Sequence, residues 1–368
     1  MQTVLITGLS GFAGVHAALA FLGEEWKVHG TVRTQEKKDK VLNLLSLKEW
    51  VDKKRIEVFI VPELVGGDFT QALQGVSAVV HCASPWHLSG KTWKEYRDPA
   101  VDGTVRLIKQ AAEVPTVKHF TFISSFAAEG DAVKPWTEQK GVKYTESDWL
   151  PYDEQFCVQV EKEKNPHGPG IWYAMSKKIA EQEAYATHKA IGAKFTISSI
   201  LPAMIFGPSL NYSSNKGIPE QADMSTKTQY HALVSGHRQP IQETVFTGWS
   251  DTFTRRRAAL TIPLLVQVRN VATALYEVVA RNKSGRFNVI DGSYDFQILA
   301  NVARKAKPEY ENYIPRGDPS SPTPTELCGT YEISNAKAEK ELGIKKIPLE
   351  KTVVDTIEWF VTLGAVHK

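Results

Sequence analysis

The stretch Thr3-Val-Leu-Ile-Thr-Gly-Leu-Ser-Gly-Phe-Ala-Gly14 decides the fold. Val4, Leu5 and Ile6 make the short continuous apolar run of a parallel strand buried on both faces. Glycines follow at Gly8, Gly11 and Gly14, and the Ala-rich segment 15–22 reads as a helix. A strand, a glycine-rich turn and a helix aim unpaired N–H groups and the positive end of the helix dipole at one point. Such a point holds a phosphate. Gly8 permits the tight turn, Gly11 the approach of backbone to phosphate, and Gly14 the close packing of helix on strand. The spacing is G-x-x-G-x-x-G rather than the commoner G-x-G-x-x-G. Three glycines alone also suit a plain loop; their place straight after the first strand points to a dinucleotide.

Working outward, residues 26–33 read as a second strand, whose end faces the adenosine ribose in such folds. An acidic residue there favours NAD, whereas an arginine accommodates the 2′-phosphate of NADP. This chain has Arg33, with Lys37 and Lys38 soon after. Residues 36–54 read as a charged helix and 56–61 as a third strand, with Glu63 and Leu64 where the adenine ring would lie. Residues 76–85 and 117–125 are the fourth and fifth strands, the latter ending in Ser124-Ser125. In open parallel sheets ligands gather outside the carboxyl ends of the strands. Gly8, Arg33, Ala83 and Ser125 all fall at that edge.

The segment 131–170 is polar, proline-punctuated and without a strong period, and it reads as a long surface insertion. Residues 173–190 read as a helix and 194–200 as a sixth strand ending in Leu201-Pro202. The fold class is therefore α/β, a Rossmann-type doubly wound parallel sheet with a smaller C-terminal substrate-binding lobe. Residues 1–205 form the NADP-binding domain and 206–368 mainly the lobe, with 262–292 packing back on the first domain. A helix over 268–282, a strand over 286–290, a proline-rich linker around 315–324 and closing helices over 334–342 and 349–363 complete the chain.

At 368 residues, 42% hydrophobic and 23% charged, the chain is an ordinary globular protein. Its net charge of +3 is too small to point to nucleic acid or an anionic membrane. No apolar run reaches the roughly 18 residues a membrane span needs. Cys82, Cys157 and Cys328 are far apart and odd in number, so neither a disulfide framework nor a metal site is expected. The first strand follows Met1 too closely to leave room for a signal peptide, and a cytoplasmic protein is the economical reading.

Tyr173-Ala-Met-Ser-Lys177 carries the chemistry. Positions i and i+4 share a helix face, so phenol and ammonium can enter one site. Tyrosine is a poor acid–base group at neutral pH, its ordinary pKa being about 10. A nearby cation favours the phenolate and is expected to lower that value. Ser125 can donate to a carbonyl oxygen, a bond that strengthens as the oxygen becomes an alkoxide. Hydride from a nicotinamide, a proton from Tyr173 and polarisation by Ser125 together reduce a carbonyl.

Over nearly its whole length the chain resembles the extended short-chain dehydrogenase/reductases. The Thr7–Gly14 turn, Ile123-Ser-Ser125, Tyr173 with Lys177, Leu201-Pro202, Phe206-Gly-Pro208 and Val268-Arg-Asn-Val-Ala272 match in order. His81-Cys-Ala-Ser-Pro85, Thr31-Val-Arg33 and Trp172-Tyr173 resemble one group within them: dihydroflavonol reductases, cinnamoyl-CoA reductases and fungal methylglyoxal (aldehyde) reductases. The resemblance implies Ser125, Tyr173 and Lys177 as the catalytic triad, Lys177 also binding the nicotinamide ribose. It implies NADP(H) held by Gly8, Ser10, Gly11, Phe12, Ala13, Gly14, Arg33, Lys37, Glu63, Leu64, Ala83, Ser84, Tyr173, Lys177 and Pro202. Trp86, Trp172, Met204 and Ile205, with Glu129, fall on the substrate side by position. The expected partner is a small-molecule carbonyl compound, and a homodimer is the assembly considered. A sugar-nucleotide epimerase or dehydratase using NAD shares the triad, and Arg255-Arg256-Arg257 could hold its pyrophosphate; Arg33 argues against it. A non-enzymatic NADP-sensing regulator shares the fold, but the Tyr/Lys pair is intact here.

Overall fold

Seven parallel strands, in the order β10-β7-β5-β4-β1-β2-β3, form the central sheet of the computed structural model. The structure describes residues 1–84, 89–131, 133–134, 138–214, 218, 222–236, 264–317 and 331–366. The first elements are β1 (Thr3–Thr7), α1 (Phe12–Gly23), β2 (Lys27–Val32), α2 (Gln35–Leu42), α3 (Lys48–Asp52), β3 (Ile56–Ile60) and β4 (Ala78–His81). Then come α4 (Trp93–Ala112), β5 (His119–Ile123), β6 (Lys143–Tyr144), α5 (Glu154–Lys162), α6 (Gly168–Ala190) and β7 (Thr196–Pro202). β8 (Met204–Phe206), α7 (Met224–Leu233), β9 (Leu264–Gln267), α8 (Val268–Ala280), β10 (Gly285–Val289), β11 (Gly292–Ser293) and α9 (Phe296–Ala306) follow. β12 (Glu332–Ile333), α10 (Ala336–Leu342) and α11 (Leu349–Thr362) end the chain.

Alternation along the strands explains the two layers of helices. Val4, Ile6, Ala78 and Val80 pack with Val15, Phe21, Val271 and Leu275 beneath α1 and α8. Leu5 and Val79 point the other way, into a cluster with Leu107, Ile108, Phe120 and Ala184 under α4 and α6. Both faces are covered, so every residue of the run Val4-Leu5-Ile6 is fully buried. Each contributes about 1.5–3 kcal/mol by leaving water. β1 pairs with β2 on one side and β4 on the other, so the strand order reverses beside it and opens the crevice a dinucleotide uses.

After β7 the chain leaves the sheet at Met204. β8, β9 and β11 form a separate three-stranded sheet. Its cluster of Phe206, Leu233, Leu265, Tyr294, Leu299, Ile357 and Phe360 is a second apolar core. The chain then returns: α8 packs on α1, with Phe21 and Tyr276 edge to face at 5.3 Å, and β10 pairs with β7. Later segments alternate between the two cores, Ala338, Leu342 and Ile344 packing in the first and Val353, Ile357 and Phe360 in the second.

Two segments differ from expectation. The helix read over 36–54 is broken, because Asn43 Nδ2 donates to the Asp39 carbonyl at 2.8 Å and closes α2. The supposed irregular insertion 131–170 contains α5, capped by Asp153 accepting from the Phe156 N–H at 3.1 Å. Its Cys157 and Val160 are core residues, packed with Trp93, Ile171 and Met175. Among the described residues no helix is long and apolar enough to cross a membrane, and no cluster of ligating side chains could hold a metal ion.

Candidate active site

The glycine turn is a cradle that side chains would fill. Gly8 has φ +70°, and a Cβ there would lie 3.0 Å from Ala83 Cα. A Cβ on Gly14 would lie 2.3 Å from the Gly8 carbonyl oxygen, which no other residue tolerates without moving backbone. No side chain caps α1, whose N-cap is Gly11, so its first N–H groups remain for an anion. Ser10, Gly11 and Ala13 are accessible, while Phe12 packs edge to face on His16. These residues fit the pyrophosphate of a dinucleotide.

One hydrogen-bonded chain holds the edge of the cradle. The Ala83 N–H donates to Thr7 Oγ1 at 3.1 Å, so the Thr7 hydroxyl turns its own proton to His81 Nδ1 at 2.7 Å. His81 is then protonated at Nε2, which donates to Thr104 Oγ1 at 3.3 Å, and Thr104 donates to the Ala100 carbonyl at 2.7 Å. Burial, and secondarily the Lys177 charge, bring the imidazole down to about 3, keeping it neutral. The sequence reading left Thr7 and His81 without a role; their signal was their place at the ends of β1 and β4.

At the far end of β2, Arg33 is exposed and Lys37 half-buried, and neither makes an ion pair among the described residues. Burial, then the charges of Arg33 and Lys40, hold Lys37 below the ordinary lysine range, with Glu36 opposing. Uncompensated cations so close are relieved by an anion. Glu63 is exposed beyond β3, and Leu64 lies against α4 at Gly103. Pro202 is buried at the end of β7.

Ser125, Tyr173 and Lys177 converge beside the cradle. Ser125 caps a turn of 3-10 helix (Phe126–Ala128), its Oγ accepting from the Ala127 N–H at 3.1 Å, and its side chain favours the Tyr173 phenolate. Lys177 Nζ donates to Ser84 Oγ at 2.9 Å and sits 5.9 Å from the Tyr173 ring centroid. Burial brings the lysine down to about 8, against the Glu181 carboxylate and the Cys82 thiol, which favour its charge. The expectation that Lys177 lowers the tyrosine is corrected here. Burial pushes the phenol up to about 12, and only Ser125 opposes it. The lysine's proton donors face Ser84 rather than the phenol.

A second expectation also fails. Trp172 is 5% exposed, its indole N–H donates to the Cys157 carbonyl at 3.2 Å, and it packs on Tyr96. Successive helical residues point about 100° apart, so with Tyr173 toward the crevice Trp172 turns into the core under α5. Glu129, placed on the substrate side by position, is fully buried. Met204 and Ile205 are half-buried, Met204 against the lobe's core and Ile205 against the sheet's. Trp86 and Arg255–Arg257 lie outside the described residues.

Beneath the site runs a polar network that the sequence reading missed. Glu181 is fully buried and accepts from Ser124 Oγ at 2.7 Å, Ser199 Oγ at 2.5 Å and Arg286 Nε at 2.9 Å. Arg286 Nη1 donates to the carbonyls of Glu146 and Asp148, each at 2.6 Å, and the guanidinium stacks 3.7 Å from the Trp149 ring centroid. The available signal was Glu181 at four residues past Lys177, on the same helix face.

Residues 6–245, well over half of the chain, match the family described as male sterility protein. An uncharacterized oxidoreductase of Schizosaccharomyces pombe is 28% identical over 365 residues, covering 97% of each chain. The NADPH-dependent methylglyoxal reductase GRE2 of Saccharomyces cerevisiae is 25% identical over 369 residues, covering 96% of this chain and 97% of its own. The crystal structure of Gre2 from Candida albicans in complex with NADPH matches with a TM-score of 0.79 at 26% identity, each chain covered in full.

Proposed function

This chain belongs to the male sterility protein family, and from that premise we propose that it is an NADPH-dependent carbonyl reductase acting on aldehydes or ketones. The observation that carries the reading is the convergence of Ser125, Tyr173 and Lys177, with Lys177 tied through Ser84 to the edge of the glycine cradle. Gly8–Gly14 would hold the pyrophosphate, Arg33 and Lys37 the 2′-phosphate, and Lys177 the nicotinamide ribose. When bound, the dinucleotide supplies the hydride. Ser125 donates to the substrate oxygen as charge grows on it. Tyr173, whose burial keeps it a protonated phenol, holds the proton that the alkoxide takes. Lys177, its ammonium turned to Ser84, would fix the ribose and so the nicotinamide beside Tyr173.

Met204 and Ile205 offer apolar surface, which favours substrates that bind by burial at roughly 25 cal/mol per Å². The test is kcat/KM with NADPH for aromatic and medium-chain aldehydes and ketones, against a CoA thioester and a UDP-sugar. The first group is expected to turn over best, with weak discrimination of single methylenes. Activity confined to the last two refutes the reading.

Two further results are expected. Arg33→Asp removes a charge-assisted phosphate contact of about 1.5–3 kcal/mol, or roughly ten- to a hundredfold in affinity. Titrations should show NADPH weakened by that factor and NADH little changed; equal effects would remove Arg33 from the 2′-phosphate. Secondly, Lys177 acts as a cation and sits at about 8, so it is charged below that pH and neutral above it. The profile of kcat/KM should therefore fall on the alkaline side of about pH 8, and a profile flat to pH 10 excludes the role.

A further inference from the structure

Behind the turn that carries Ser125, two fully buried side chains are half satisfied. Asn288 Nδ2, on β10, donates to Glu129 Oε1 at 3.0 Å. The remaining oxygen on each side of that bond, Glu129 Oε2 and Asn288 Oδ1, is buried without a partner. Both are acceptors if Glu129 is a carboxylate, and two acceptors cannot satisfy one another. A carboxylic acid has one O–H to give, and the vacant carboxamide oxygen belongs to the same amide already bonded to its other oxygen. One proton therefore satisfies both orphaned atoms.

The surrounding charges agree. Arg286 is the cation near Glu129; its Nε is paired with Glu181 and its Nη1 with two carbonyls, while its buried Nη2 makes no hydrogen bond to Glu129 or to any other group among the described residues. Glu146, whose Oε1 accepts from the Asn288 N–H at 3.2 Å, and Asp148 face the same space and repel a further negative charge. The Tyr144 phenol on β6 already donates to Gln139 Oε1 at 2.6 Å. Burial is the largest influence and takes the carboxyl up to about 8; Asn288 and Arg286 oppose it, and Glu146 and Asp148 add to it.

We propose that Glu129 is a neutral carboxylic acid doubly hydrogen-bonded to the Asn288 carboxamide, and that this pair positions the Ser125 turn on the sheet. The turn starts at Ser125, whose carbonyl accepts from the Ala128 N–H at 3.0 Å, and closes at Glu129, whose N–H donates to the Phe126 carbonyl at 2.9 Å. Fixing Glu129 to β10 thus fixes the far end of the segment that aims the Ser125 hydroxyl. The pairing is independent of the reaction assigned above; only its effect on turnover rests on that reading.

The pairing is read from the infrared difference between the full-length protein and Glu129→Gln at neutral pH. A protonated carboxyl C=O stretch present in the first and absent from the second is expected; carboxylate bands alone overturn it. Stability gives a second readout. The folded protein keeps this proton up to about pH 8 while the unfolded chain loses it near pH 4, so the wild type loses stability as pH rises between them. Glu129→Gln keeps an amide-to-amide pair and has nothing to titrate, so its thermal midpoint should gain on the wild type across that window. A constant difference overturns the proposal. For the positioning role, Glu129→Ala should lower kcat about tenfold with NADPH affinity unchanged, and Gln should restore it. An unchanged kcat in the alanine variant, or no rescue by Gln, removes that role. The alkaline fall of kcat/KM assigned to Lys177 should persist in Glu129→Gln, so failure of one reading is distinguishable from failure of the other.

Discussion

Tyr173→Phe is expected to lower kcat about 100- to 10,000-fold while leaving NADPH affinity within a factor of about two, the range spanned by general acid catalysis. The phenyl ring keeps the packing of Tyr173 against the apolar cluster around α5 and α6. Only the hydroxyl goes, and with it the interaction with Ser125 and the proton donor. Because burial holds the phenol near 12, the native enzyme carries this proton at every working pH, and no neighbouring group among the described residues is as well placed to replace it. Lys177 Nζ is turned to Ser84 and the Ile123 carbonyl. His81 is neutral and enclosed between two threonines. Stopped-flow single turnover with NADPH separates binding from chemistry: the binding phase should survive and the oxidation phase collapse. A variant retaining more than about a tenth of wild-type kcat would remove Tyr173 from proton transfer.

How much of this was legible in the sequence depends on the range of the interaction. The β1 run, the glycine turn and α1 are contiguous, so their period and spacing report the cradle directly. Tyr173 and Lys177 share a helix face through 3.6-residue periodicity alone. Seven parallel strands follow from alternating apolar strands and helices. Electrostatics did not follow, because the sign of a pKa shift is set by burial as much as by neighbours. A cation four residues away predicted a lowered phenol, and the enclosed site raises it instead. Trp172 was misplaced for a related reason: adjacency to Tyr173 in sequence says nothing of the core that α5 builds. α5 was missed because it is a short helix of Glu154–Lys162 inside a polar, proline-punctuated segment, with only Cys157 and Val160 buried. Least visible was the contact between Glu181 and Arg286, which are 105 residues apart. Nothing local in Gly285-Arg-Phe-Asn288 marks its arginine as buried.

That buried pair carries a large stability effect. Arg286→Met should destabilise the protein by about 3–5 kcal/mol, the cost of leaving a buried charge without its partner. Glu181 would keep only the hydroxyls of Ser124 and Ser199, while the carbonyls of Glu146 and Asp148 would lose their donor. The stack on Trp149 would also go. Arg286→Lys should not rescue it, because an ammonium cannot present the planar fork that serves Glu181 and two carbonyls while lying on an indole. Adding Glu181→Gln to Arg286→Met should recover part of the loss. The neutral amide removes the uncompensated charge and can still accept from Ser124. Urea unfolding of the two single variants and the double gives the coupling energy directly. A favourable pair predicts a double variant less destabilised than the sum of the singles; strict additivity would show that the two side chains are buried side by side without depending on each other. The consequence reaches the site through Ser124, whose hydroxyl Glu181 holds one residue before Ser125. Arg286→Met protein that still folds should therefore lose kcat as well as stability, with the Glu181→Gln addition restoring stability more than turnover.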